Sequence, residues 1–128
     1  DFIFFATKGD NRIRAYDIQS ETLEVLYDLA TDSNPILSGV DNITVTDRGD
    51  VLVAEDGGDM QIVVILPDGQ LKPLLQIVGQ DQSEVAGIAF SPDGRRLYFT
   101  SDRGSNQDIG GQRVGLGVTY ELMLPAGL

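Results

Sequence analysis

The sequence predicts an all-β fold, a partial β-propeller of about two to three blades made of four-stranded antiparallel sheets. Three observations point there. Short runs rich in Val, Ile, Leu, Phe and Tyr recur along the 128 residues, and none sustains a 3.6-residue apolar period. The runs are separated by polar turns carrying Gly, among them Asp47–Asp50, Pro67–Gln70 and Pro92–Arg95. Such glycines supply the positive φ that tight hairpins need. Finally, the stretch Ile43–Ala54 repeats as Ile88–Phe99, with Gly49 over Gly94 at an offset of 45 residues. A looser echo sets Phe5–Ile13 against Val53–Ile62. A repeat of about 40–50 residues is the period of a propeller blade.

Taken in order, the runs Phe2–Ala6, Arg12–Asp17 and Thr22–Tyr27 form a first, partial blade over residues 1–28 that lacks its inner strand. The next stretch, Leu29–Leu37, is the best helical candidate, but it is short and carries Pro35. The runs Asn42–Val45, Asp50–Ala54, Gln61–Leu66 and Leu71–Ile77 make a complete blade over 39–79. Gly87–Phe90, Arg95–Thr100 and Gly117–Leu124 make a third blade over 84–126 that lacks its outer strand. Gly110, Gly111, Gly115 and Gly117 read as a flexible connector. The whole, residues 1–128, is one propeller fragment. Its open sheet edges call for completion by other chain segments or by further copies, as in a homo-oligomer. A β-sandwich also uses many short strands; the repeat favours the propeller. The chain starts at Asp1 inside an apolar run and shows no signal peptide, so it reads as cut from a longer protein.

Composition narrows the chemistry. There is no Cys and no His, which removes disulfides, thiolate catalysis, Cys-type zinc sites and the commonest general base. Twenty acidic residues against nine basic ones give a net charge of −11. That argues against nucleic acid as a partner, because phosphate contacts need a basic patch. It argues equally against an anionic membrane surface, and no apolar run approaches the ~20 residues of a membrane span. Clustered acids favour a hard cation such as Ca²⁺, which takes oxygen ligands, or simply keep the domain soluble.

The acids cluster around one expected hairpin. Asp41 and Asn42 precede an inner strand, and Glu55, Asp56 and Asp59 follow its neighbour. In an antiparallel pair the start of one strand lies beside the end of the next. Asp41/Asn42 and Glu55/Asp56 therefore meet at one end of the blade, and Gly57 and Gly58 let the loop wrap closely. Alternatively these residues cap turns and form a polar loop. Glu84 stands a few residues ahead of the next inner strand, much as Asp41 does, and faces the same central channel or solvent. Thr100 takes the place of Glu55 one blade later, so the acidic pair is not duplicated. Asp102 and Arg103 read as turn contacts or a surface pair of small value.

The ordered motifs Gly39–Val45, Gly49–Asp59, Ser83–Tyr98 and Gly117–Glu121 resemble the C-terminal part of the PhoX-type alkaline phosphatase family. Phe2–Tyr27 matches more loosely, as a generic blade. The resemblance implies a six-bladed propeller that hydrolyses phosphomonoesters with a Ca²⁺ and iron cluster at its axis, exported from bacterial cells to the periplasm or beyond. It makes Asp41, Asn42, Glu55 and Glu84 metal-site residues. It also implies that the iron-binding Cys belongs to an N-terminal part, so that this chain alone is not a competent phosphatase. A non-catalytic propeller module for protein contacts, or a lactonase- or esterase-like propeller, is the alternative, since fold does not fix function.

Overall fold

Three antiparallel sheets follow one another along the chain in a computed structural model, which describes residues 1–125 and, within them, leaves out the side chains of residues 105–108 and 113. Strands β1 (Phe2–Thr7), β2 (Arg12–Asp17) and β3 (Thr22–Asp28) form the first sheet. Strands β4 (Val40–Val45), β5 (Val51–Glu55), β6 (Gln61–Ile65) and β7 (Leu71–Gln76) form the second. Strands β8 (Val85–Phe90), β9 (Arg96–Ile109) and β10 (Gln112–Met123) form the third. Each strand pairs with its sequence neighbour, the meander of a propeller blade. The arrangement is an open partial propeller. The last residue expected in the third blade, 126, lies outside the described residues.

Sequence alternation explains the stacking. On β5, Val51 and Val53, together with Val63 and Ile65 of β6, pack with Ile13 and Tyr27 of the first sheet and with Leu37 of the segment between β3 and β4. Leu52 and Ala54 turn the other way and pack with Ile62, Val85, Leu97 and Phe99. Side chains alternate faces along a strand, so a sheet covered on both faces reads as a continuous apolar run. All five residues of β5 are buried. The two apolar layers are the core.

Leu29–Leu37 is not helical; it crosses from β3 to β4 as turns and extended chain. Tyr27 anchors this crossing, since its hydroxyl donates to the Leu37 carbonyl at 2.6 Å and accepts from the Leu37 amide at 3.2 Å. The glycines at 110–111 are not a flexible connector either. They form the two-residue turn of a long β9–β10 hairpin, with Ile109 paired to Gln112. Both have positive φ, 59° and 80°, as the tightest hairpin turns require. The polar run from Ser101 hid this extension, because it lacks the apolar alternation that marks a strand.

The repeat holds at atomic detail. Thr46 accepts from the Gly49 amide and donates its own to the Asp50 carbonyl. Ser91 does the same with Gly94 and Arg96. The second turn therefore holds one extra residue, and the repeat offset grows from 45 to 46 within it. This shift corrects the expected equivalence of Thr100 and Glu55. Ser101 pairs with Val85 as Glu55 pairs with Val40, so Ser101 stands at the Glu55 position.

Candidate metal centre

The backbone brings the site together across two seams. The Asp56 amide donates to the Gly39 carbonyl at 2.8 Å, and the Asp102 amide donates to the Glu84 carbonyl at 2.8 Å. Asp56 and Glu84 also form an isolated antiparallel bridge between the second and third sheets. On β4 a bulge opposes Asp41 and Asn42 to the single residue Ala54. Bulges re-aim side chains and are common beside functional sites. Gly39 closes the approach. Its φ is +66°, and a Cβ there would collide with the Asp56 carbonyl oxygen.

Three carboxylates converge as a result. One oxygen from each of Asp41, Asp56 and Glu84 lies within 4.8 Å of the others, all half-buried. Two cations reach the same group. Lys8, from the β1–β2 turn, bonds Asp56 and lies 3.2 Å from Asp41. Arg103, from β9, bonds Asp56 at 3.3 Å and Glu84 at 3.0 Å. Asp56, then Asp41, raises the pKa of the Lys8 ammonium above its ordinary value.

Glu55 sits apart from this cluster. It is fully buried, and its two oxygens accept from the Ser38 amide at 2.8 Å and the Gln61 amide at 2.9 Å. Burial pushes its carboxyl pKa up, while these two amides pull it back. Its place joins the entry of β4 to the start of β6. In the third sheet the equivalent Ser101 hydroxyl meets Ser83 at 2.5 Å and donates to Gln80. Of the residues expected at the site, Asp41 and Glu84 lie in the cluster, Glu55 lies in the frame behind it, and Asn42 lies in the bulge beside Asp41.

Sequence reasoning set Asp56 beside Asp41 but passed over Lys8 and Arg103 as its partners. A signal existed for Lys8. It follows the last residue of β1 as Asp56 follows the last residue of β5, so the repeat sends both to the same end of neighbouring sheets. Arg103 carries no such mark, because its equivalent one sheet earlier is Gly57.

The donor set suits a hard cation. Ca²⁺ binds oxygens at about 2.3–2.6 Å, so two ligands of one shell stand within roughly 5 Å of each other. The three carboxylate oxygens meet that limit. Among the described residues, no helix is long and apolar enough to cross a membrane.

Fold and site together define an open β-propeller segment that gathers three carboxylates and two cations at one end of its sheets. Comparison with protein families matches residues 16–102 to alkaline phosphatase PhoX. The chain belongs to that family. The matched span runs from β2 into β9 and includes Asp41, Asp56 and Glu84, while Lys8 and Arg103 flank it. Neither the curated proteins nor the solved structures compared yield a match.

Proposed function

We propose that this chain supplies part of the metal centre of a Ca²⁺-dependent, exported phosphomonoester hydrolase, and that it acts as one segment of a larger propeller. The observation that carries this reading is the convergence of the Asp41, Asp56 and Glu84 oxygens within a PhoX family chain. In this reading those three residues hold Ca²⁺. Asp56 takes the role first expected of Glu55, and Asn42 offers a neutral oxygen from the bulge. Glu55 keeps the frame rigid by holding two amides that would otherwise be orphaned. Bound Ca²⁺ supplies neutralisation of the phosphate charge without proton chemistry, which suits a chain with no His. Three carboxylates give fewer than the six to eight oxygens Ca²⁺ takes, so further ligands, and the iron of the related enzymes, belong to other parts of the propeller.

The blade limits 1–28, 39–79 and 84–126 are part of the same proposal. Ile3, Leu23 and Val25 share the outer face of the first sheet and are each about half exposed. A preceding blade, or a second copy of the chain, covers that face.

The test is hydrolysis by the complete polypeptide that carries this segment. A phosphomonoester should be cleaved, with loss of activity on calcium chelation and in Asp56→Asn. Cleavage of a lactone or carboxyl ester instead would favour the esterase-like reading. Activity on none of them would favour a contact module.

A further inference from the structure

We infer that Lys8 and Arg103 are displaceable counter-ions that close the carboxylate cluster and compete directly with Ca²⁺ for it. The inference rests on the metal reading of Asp41, Asp56 and Glu84 and concerns what those oxygens do before an ion arrives.

The geometry is that of occupied ligands. Lys8 takes Asp56 Oδ2 and Asp41 Oδ2, and Arg103 takes Asp56 Oδ1 and Glu84 Oε2. Both oxygens of Asp56 are engaged, one by each cation. An ion bound through Asp56 therefore takes an oxygen that one of the two side chains now holds, while Asp41 and Glu84 each keep one oxygen outside these pairs. The three acids carry −3 and the two bases +2, with Asp102 also 3.6 Å from Arg103, so the bases offset much of the repulsion among the like charges.

The two cations also come from different sheets. Lys8 leaves the first sheet, Asp41 and Asp56 belong to the second, and Glu84 and Arg103 to the third. The closed cluster therefore ties three consecutive sheets together at one end. Lys8 and Arg103 are both long and more than half exposed, so they swing into solvent at little cost once an ion replaces them. Apo and metal-bound forms thus hold the same seam by alternative charges.

The experiment is calorimetric Ca²⁺ titration of the complete polypeptide that carries this segment, and of its variants, read as dissociation constants. Lys8→Met removes a competitor and should bind Ca²⁺ roughly two- to fivefold more tightly than wild type, the scale of an exposed ion pair. Arg103→Met should shift the same way. Lys8→Arg should bind like wild type, and Lys72→Met, a charge loss away from the cluster, should also leave the constant unchanged. If wild type binds Ca²⁺ and both Met variants bind no more tightly, the competition is overturned while the metal reading stands. Equal tightening in Lys72→Met would reduce the effect to net charge and also overturn it. No uptake by any variant would overturn the metal reading and this inference together.

Discussion

Asp56 and Glu84 face each other across the seam between the second and third sheets, joined by a backbone bridge and by one shared partner, Arg103. The carboxylate cluster is therefore an inter-sheet feature. Its geometry depends on how consecutive blades stack, and residues well behind the carboxylates hold it in place.

Glu55 is the first of these. Replacing this fully buried residue with Ala strips the half-buried Ser38 and Gln61 amides of their acceptor. The expected loss is about 1–3 kcal/mol of stability, from two half-buried donors left unsatisfied. Urea denaturation of Glu55→Ala checks this. A midpoint equal to wild type would show that the brace carries no load.

Gly39 sets the approach of β4 to Asp56. A side chain at φ +66° is strained, and its Cβ collides with the carbonyl of Asp56. Gly39→Ala should lose about 1–3 kcal/mol and should weaken Ca²⁺ uptake as well, because Asp56 must move. Gly69→Ala is the comparison. It shares a positive φ, but open space surrounds its Cβ position, so it should lose stability without affecting calcium.

The Tyr27 hydroxyl holds both backbone groups of Leu37, and so the crossing that delivers Gly39. Tyr27→Phe should cost about 1–3 kcal/mol, since a buried amide and carbonyl lose one partner. Thermal melting followed by circular dichroism measures it.

Acid should destabilise the first sheet through Asp28. The Arg12 guanidinium, bonded at 2.7 Å, and the Ala30 amide hold its carboxyl below the usual aspartate range. A depressed folded pKa gives stability that is present above the unfolded value and lost as pH falls through the folded one. Stability curves between neutral pH and strong acid should therefore fall more gently in Asp28→Asn than in wild type. Parallel curves would contradict this role.

Much of the fold was legible because it rests on local rules. Apolar content and turn residues placed Asp50–Ala54 in a strand, and the Gly49/Gly94 repeat revealed the blade, while the burial of that strand on both faces came from the structure. The β9–β10 extension was hidden because its ladder is polar. The carboxylate pair Asp41 and Asp56 followed from hairpin geometry. The choice between Glu55 and Asp56 did not, because it depends on which side of a strand end faces the core. Burial decides that, and burial is set by the neighbouring sheets. Ion partners such as Arg103 depend on the stacking of two sheets, which no single repeat encodes.

Calcium titration of the complete polypeptide, wild type against Asp56→Asn, tests the central claim most directly. Asp56 pairs with both cations and bridges the seam to Glu84, so in the proposed site its loss should matter most. Wild type should take up Ca²⁺ saturably, and Asp56→Asn should bind roughly tenfold more weakly or not at all, while Asp59→Asn on the neighbouring turn binds as wild type does. Saturable uptake of equal affinity in Asp56→Asn, or none in wild type, would contradict the account.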